Sequence, residues 1–332
     1  VTRTTLADVA REAGVSVALV SIVMRDAPGA SAATRERVRG VAERLGYVPD
    51  QRARQLRRTD TRLLGVTFDL HQPFHGDLVE HLYEAAAAQG YDVAISAVAP
   101  SRDEDAAIQA LMRERCDALV LLGPDISPDA LGSLGTRVPT LVVARRSDAD
   151  GVASVRGDDE AGVGLAVDHL AELGHVRVVH VDGGSAPGAE DRRRGFHAAA
   201  VRRGMEPWVV PGGPTEQAGV EAARRLLDQR PTPTAVVAFN DHCASGVLDV
   251  LLRAHVDVPA DVSVVGYDDS RLAVARQDRM TTVAQSALEM AERAVSGALD
   301  LLAGRNPTEV VLTPRLVVRS TSGPAPRLAD PA

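Results

Sequence analysis

The chain contains no lysine; all 37 of its basic residues are arginine. That excludes a Walker-A phosphate loop, a Schiff-base enzyme and a protein kinase, each of which needs one particular amine. Cysteine occurs twice, at Cys116 and Cys243. Two cysteines build neither a four-cysteine zinc site nor a disulfide framework, and nothing here requires an oxidising compartment. Aromatic residues make up only 3% of the chain, which argues against an extended sugar-stacking platform. No apolar run approaches the roughly 18 residues of a membrane span. The amino-terminal stretch VTRTTLADVAREAG is polar and lacks the apolar segment of a secretory signal, so a cytoplasmic protein without membrane attachment is expected. Catalytic signatures are missing too. Gly162-Val163-Gly164 lies inside an expected helix with the wrong spacing for a dinucleotide loop, and there is no G-x-S-x-G elbow or H-E-x-x-H pair. No enzyme and no cofactor are expected.

What is present is a length of 332 residues, enough for two or three domains, and an uneven distribution of charge. Residues 1–60 hold 11 arginines against 7 acidic residues, while the remainder holds 26 against 38. The basic head, on a chain of net charge −8, suits a polyanionic partner for the head alone; a solvated helical face is the plainer reading. The head reads as three short helices. Thr5 caps the first, with Asp8 three residues on, and Leu6, Val9, Ala10 and Ala13 form its apolar face. Gly14 makes a tight turn and Val15 is expected to be buried. Ser16 opens a second helix, Val17 to Met24, with Leu19, Val20 and Val23 inward and Val17, Ala18, Ser21, Ile22 and Arg25 outward. Ser31 or Thr34 opens the third. LADVAREAGVS thus has the layout of a helix-turn-helix, whose second helix enters the DNA major groove; the alternative is a small helical bundle with no DNA role.

The phrases TLADVAREAGVS, VSIVM, SAATRERV and LGYVPD, across residues 5–58, resemble the headpiece of the lac repressor (LacI/GalR) family of transcription regulators. The resemblance implies DNA contacts from Thr5, Ser16, Val17, Ala18, Ser21, Ile22, Arg25 and Ser31. Ile22 and Arg25 stand where many members carry Arg and Asn, so the resemblance implies DNA binding but no particular operator sequence. Ile22 suits a thymine methyl, and Arg25 a phosphate or a guanine. Residues 50–60, DQRARQLRRTD, are too short and polar for a stable isolated helix. By the resemblance this is a hinge that folds in the minor groove, with Leu56 wedged between base pairs and Arg52, Ala53 and Arg57 beside it. A flexible basic linker is the alternative.

From Leu63 onward, short apolar strands alternate with helices of 10–15 residues, the pattern of parallel sheets covered on both faces. The expected fold is therefore an all-α helix-turn-helix headpiece (1–49), a hinge (50–61) and an α/β effector-binding and dimerisation domain (62–322), followed by a disordered tail (323–332). The resemblance implies two periplasmic-binding-protein-like lobes with crossing strands. Lobe 1 would take about 62–156 and 286–313, and lobe 2 about 157–284 and 314–322. A helix over 287–303 is expected to bury Leu288, Ala291, Val295, Ala298 and Leu302. The resemblance implies a tetramer only where a carboxyl-terminal heptad helix is present; the tail SGPAPRLADPA has no heptads, so a dimer is expected.

Ligands of open α/β sheets sit outside the carboxyl ends of strands. There the sequence places Asp69, His71, Phe74 and His75 after the first strand. His71 and His75 lie four apart, but on an expected loop and without a further ligand pair, so no metal is expected. The family's Arg-x-x-Gly-Phe pattern falls on Arg192, Gly195 and Phe196, which implies a ligand-facing Arg192; Arg193 and Arg194 read as solvated neighbours. The resemblance adds Asn240 and Asp268 as partners of ligand hydroxyls and Gln285 from the crossover, with Asp241 and Asp269 as structural caps. Where many members place an Asp after PTLVV, this chain has Ala144, then Arg145 and Arg146. A missing acceptor with cations nearby suggests a ligand other than a simple neutral sugar. The function implied is a ligand-responsive repressor. As a homodimer it would bind a pseudo-palindromic double-stranded operator, with a sugar or related metabolite in the cleft. A solute-binding protein or a sugar-metabolising α/β enzyme are the rival classes. The first would carry an export signal and no helix-turn-helix, the second a catalytic constellation.

Overall fold

The computed structural model describes residues 4–24, 26–47, 60–275, 279–305 and 308–326. The chain divides into two compact units, Val1–Thr61 and Arg62–Ala332. Arg25 and the expected hinge residues Arg52, Ala53, Leu56 and Arg57 lie outside the described residues.

In the first unit, helix α1 (Leu6–Ala13) begins with a reciprocal cap. The Asp8 amide donates to Thr5 Oγ1 at 3.3 Å and the Thr5 amide donates to Asp8 Oδ2 at 3.0 Å. Two of the helix's orphan donors are satisfied in this way. Hydrogen bonds from Thr5 hold the Asp8 carboxyl below its ordinary pKa. Gly14 ends α1 at φ 65°, a left-handed conformation that favours glycine. The chain then enters α2 (Val17–Met24) with Ser16 Oγ accepting from the Leu19 amide. Ser31 caps α3 (Ala32–Arg44). Val9, Ala10, Ala13, Val20, Val23, Val38, Val41 and Ala42 form one core. Val15 is only half-buried, because it sits on the turn at the edge of that core.

The second unit contains two six-stranded sheets. In the first, β1 (Leu63–Asp69) and β2 (Asp92–Val98) flank helix α4 (Pro73–Ala88) in the chain. Then come α5 (Glu104–Arg113), β3 (Ala118–Leu122), α6 (Pro128–Gly135), β4 (Thr140–Val143) and β5 (Ala153–Gly157). The chain passes into the second sheet through α7 (Asp159–Glu172), β6 (Val178–Val181), α8 (Ala189–Arg202) and β7 (Trp208–Val210). It continues with α9 (Glu216–Leu227), β8 (Ala235–Ala238), α10 (Asp241–Arg253), β9 (Ser263–Asp268), α11 (Arg271–Ala275) and β10 (Thr281–Ala284). Helix α12 (Ala287–Leu302) and β11 (Val310–Leu312) return to the first sheet, and β12 (Arg315–Val317) closes the second.

The sheet orders are β11-β5-β4-β3-β1-β2 and β12-β10-β9-β8-β6-β7. Every pairing is parallel except β10 with β12. β12 reaches this sheet directly from β11 of the first, across Thr313 and Pro314. Strands β3, β4, β6, β8 and β9 are buried along their whole length, as sheets covered on both faces demand. One face of the first sheet packs on α4 and α12 through Leu78, Leu82, Met290, Ala294 and Val295; the other packs on α5 and α6 through Ile108, Leu111, Leu131 and Leu134.

Three expectations are corrected here. Leu288 is exposed (48%), because it lies on the outer face of the first turn of α12, and Met290 and Ala294 supply the buried contacts instead. Helix α4 starts earlier than expected, with Pro73 in its first turn, so Phe74 and His75 are helical rather than on a loop. The tail is not loose from 323. The Gly323 amide donates to Ser263 Oγ at 3.1 Å, and the Ala325 amide donates to the Leu173 carbonyl at 2.9 Å.

Candidate functional site

A cavity of about 80 Å³ lies between the two lobes of the second unit. Its walls are the carboxyl ends of successive strands. Lobe 1 contributes Asp69 from the end of β1, Gln72, Phe74 and His75 from the start of α4, Gly123 after β3 and Ala144 after β4. Lobe 2 contributes Ala186 and Pro187 after β6, Arg192 on α8, Phe239 and Asn240 after β8, and Asp268 at the end of β9; Gln285 enters from the crossover after β10. Seven of the eight expected ligand-facing residues therefore meet. The exception is His71, which stays outside the cavity lining. Its amide donates to Asp69 Oδ1 at 2.8 Å and its ring is exposed.

Arg192 anchors the lobe-2 wall. Its guanidinium lies 3.7 Å from the ring centroid of Tyr267 and 4.6 Å from that of Phe239. Nε donates to Asp159 Oδ1 at 2.9 Å and Nη1 to the Phe239 carbonyl at 2.6 Å, leaving Nη2 3.6 Å from Asp268 Oδ1. Burial alone would lower the Arg192 pKa; the carboxylates of Asp159 and Asp268 outweigh it and raise the pKa, so the cation is permanent. Arg193 pairs with Asp182, and Arg194 with Glu160, Glu190 and Asp191, away from the cavity.

Asp268 sits at φ 110°, outside the comfortable range for a side-chain-bearing residue, as residues presented to ligands often do. It accepts from Gln285 Nε2 at 2.9 Å. Asn240 is the N-cap of α10: its Oδ1 accepts from the Cys243 amide at 2.8 Å. Its Nδ2 donates to the Pro214 carbonyl at 3.1 Å and spans the cleft to Gln72 Oε1 at 3.4 Å. Asp241 is buried, and its carboxylate accepts from the Ser270 amide, just ahead of α11, from the Ser270 hydroxyl and from Thr282 Oγ1. Asp269 pairs with Arg319 at 2.6 Å. The cations expected near Ala144 turn elsewhere: Arg145 donates to the Pro124 carbonyl, and Arg146 pairs with Asp148.

Burial pushes Asp268 up to about 6, with Arg192 and the Gln285 hydrogen bond opposing. A carboxyl raised on folding adds stability in its protonated state and loses that contribution as pH rises through the folded pKa. The stability of Asp268→Asn relative to the unsubstituted chain is therefore expected to be greatest at pH 7.5 and to shrink as the pH falls to 5. Melting curves of the two proteins at matched pH check this, and a difference constant with pH contradicts it. The comparison is needed because His75 and His180, both pushed by burial down to about 4, act in the opposite sense.

Residues 5–50 match the bacterial regulatory proteins of the lacI family, and residues 167–322 a periplasmic binding protein-like domain. Over 326 residues the chain is 37% identical to the transcriptional regulator GalR of Salmonella typhimurium, covering 95% of each. The chain belongs to the LacI family of transcriptional regulators. Among solved structures, a LacI transcriptional regulator from Rhodococcus is 58% identical with a TM-score of 0.79, covering 80% of this chain and 100% of that one. A lac repressor dimer bound to operator and the anti-inducer ONPF is 28% identical with a TM-score of 0.83, covering 97% of this chain and 100% of that one. As a LacI-family member the chain is a DNA-binding regulator and not an enzyme. Among the described residues, no helix is long and apolar enough to cross a membrane.

The first unit is the matching DNA-binding module. Thr5, Ser16 and Ser31 are exposed at the three helix starts; Val17 (47% exposed) and Ala18 face outward on α2, and Ser21 is half-buried. Ile22 is half-buried beside Gly29, where a β-carbon would lie 3.8 Å from its side chain. The cavity residues that sequence reasoning missed are Gln72, Gly123, Ala186, Pro187 and Phe239. All five follow strand ends, where the rule places ligands, and of their side chains only the Gln72 amide is polar.

Proposed function

We propose that the chain is a cytoplasmic, ligand-responsive repressor that binds a pseudo-palindromic operator as a homodimer. A sugar or related metabolite in the interlobe cleft modulates its affinity for DNA. The observation that carries this reading is the convergence of Asp69, Phe74, His75, Arg192, Asn240, Asp268 and Gln285 on one cavity, in a chain that also holds a capped helix-turn-helix. Two-fold pairing fits a palindromic site, and the lac repressor relative binds its operator as a dimer. Ligand biases the lobe equilibrium by its differential affinity for the two states, typically by about 1–3 kcal/mol.

In this reading α2 enters the major groove, with Val17, Ala18, Ser21, Ile22 and Arg25 toward the bases and Thr5, Ser16 and Ser31 on the backbone. Its apolar outward face suits thymine methyl groups. Arg52, Ala53, Leu56 and Arg57 form the minor-groove hinge. Leu56→Ala is expected to weaken specific operator binding by about tenfold or more, because a wedge acts only on the kinked site. Binding to random duplex is expected to stay unchanged, and equal losses in the two titrations reject the hinge role.

A mobility-shift assay on DNA upstream of the protein's own gene, with and without a metabolite panel, tests the whole reading. A specific shift that falls steeply with salt, and that one metabolite alters, is expected. Equal binding to all fragments, with no metabolite effect, overturns it.

A further inference from the structure

Arg271 sits at the start of α11 in lobe 2, but its guanidinium rests on lobe 1. Nε lies 2.9 Å from Asp77 Oδ1, and Nη2 pairs with Glu80 Oε2. Asp77 and Glu80 are three positions apart on α4, so they share a face of that helix. Among the described residues, Arg271 makes the one charged contact that joins the two lobes. The Asp77 side chain is only 17% exposed. Burial raises its pKa and the charge of Glu80 adds to that, with Arg271 opposing both. Two acids on one helical face thus draw their cation from the opposite lobe, and parting the lobes leaves them facing each other uncompensated.

Both ends of this contact are anchored. Asp268, Asp269 and Ser270 lead from the cavity to Arg271, and each is held. Asp268 accepts from Gln285 Nε2 at 2.9 Å, and Asp269 pairs with Arg319 at 2.6 Å. Ser270 donates its amide and hydroxyl to Asp241 Oδ2 at 2.8 and 3.0 Å. Asp268 and Asp269 keep φ angles of 110° and 54°, which side-chain-bearing residues disfavour. The start of α11 is therefore not free to follow lobe 1. On the other side, Phe74 and His75 line the cavity from the turn of α4 that precedes Asp77. A second cavity of about 290 Å³, bounded by Phe74, Asp77, Asp268, Arg271 and Gln285, adjoins the first and shares Phe74, Asp268 and Gln285 with it. The Arg271 contact stands across that mouth of the cleft.

The lobes are joined by chain at Asp158, at Gln285–Ser286 and at Thr313–Pro314, a layout that permits hinge closure. Going beyond the regulator reading above, we propose that Arg271 is an electrostatic strap: it positions α4 against Asp268 and sets how far the cleft rests closed before any effector binds. An effector that prefers the closed cleft then binds in proportion to the fraction already closed. Because Arg271 is 73% exposed, dissolved ions screen the strap, and high salt loosens it.

The test is amide hydrogen exchange of the full chain, read by mass spectrometry with no small molecule added. Arg271→Gln is expected to speed exchange about three- to tenfold in peptides from both walls of the cleft. Those covering Phe74–Glu80 and Asp268–Leu272 flank the strap. Those around Gly123 and Pro187 report closure elsewhere: a β-carbon on Gly123 would lie 3.7 Å from Pro187 Cγ, so the lobes also meet there. Peptides of α9 stay unchanged. Raising NaCl from about 0.05 M to about 0.5 M is expected to loosen the same peptides in the unsubstituted chain but not in Arg271→Gln. Arg271→Glu combined with Glu80→Arg, which exchanges the charges, restores slow exchange that neither change alone allows. Thermal melting reports folding, and Glu80→Gln, at an exposed side chain, gives the same test from lobe 1 where Arg271→Gln does not fold. Faster exchange confined to α11, or unchanged exchange around Gly123 and Pro187, overturns the strap and leaves the regulator reading standing. The operator assay above tests that reading separately.

Discussion

Arg192→Met is expected to abolish the response to effector and to destabilise the second unit by about 3–5 kcal/mol, the usual cost of leaving a buried ion pair half-removed. The side chains of Arg192 and Asp159 are only 7% and 5% exposed, so solvent relieves little of that cost. Methionine preserves much of the packing between Tyr267 and Phe239 but leaves Asp159 and Asp268 without their cation. Arg192→Lys separates the two effects. It restores a positive charge, and with it part of the stability, but not the planar set of donors that reaches Asp159, the Phe239 carbonyl and the cleft together. Urea unfolding and effector titration are read side by side. Lysine is expected to recover stability without recovering the effector response, and a methionine variant with an unchanged titration removes Arg192 from the site.

The second large effect lies behind the lobe-2 wall, where α9 and α10 meet backbone to backbone. A β-carbon on Gly219 would lie 2.0 Å from the Cys243 carbonyl oxygen, and one on Gly246 would lie 2.0 Å from that of Glu216. No rotamer relieves a clash with backbone, so Gly219→Val is expected to cost at least about 3 kcal/mol and to part the helices. Asn240 caps α10, so the movement reaches the cleft and effector binding falls with stability. Gly164→Ala is the contrast. Its β-carbon would meet nothing closer than Arg202 Nη2 at 3.9 Å, and a helical alanine adds about 0.5–1 kcal/mol. Denaturant midpoints of the two variants are expected to move in opposite directions.

Much of this architecture is legible in the residues because it is set locally. Thr5 with Asp8, Gly14, Ser16 and Ser31 mark the helix-turn-helix by capping and turn chemistry that acts within three or four residues. The strands after Leu63 are legible from apolar runs between helices, and the strand ends then locate Asp69, Asn240 and Asp268. What sequence reading misses depends on contacts between distant segments. Asp159 lies 33 positions from Arg192, and only the packing of α7 on α8 shows that they pair. The direction of Arg145 is likewise set by the Pro124 carbonyl, 21 positions away. Once Arg145 and Arg146 are seen to be occupied, Ala144 contributes only a methyl group to the cavity wall, with no cation beside it. Gly123, Ala186 and Pro187 shape the cavity through volume alone, and Phe239 acts through its contacts with Arg192, 47 positions away, neither of which single-residue chemistry announces.

The central claim is that occupancy of the cleft and the grip on DNA are one coupled equilibrium, and linkage makes that measurable from both sides. Effector affinity is determined by calorimetry on the free protein and on the protein saturated with operator, alongside operator affinity with and without saturating effector. The two ratios are expected to be equal and to differ from one by about fivefold or more. Effector affinities that are identical with and without operator contradict it.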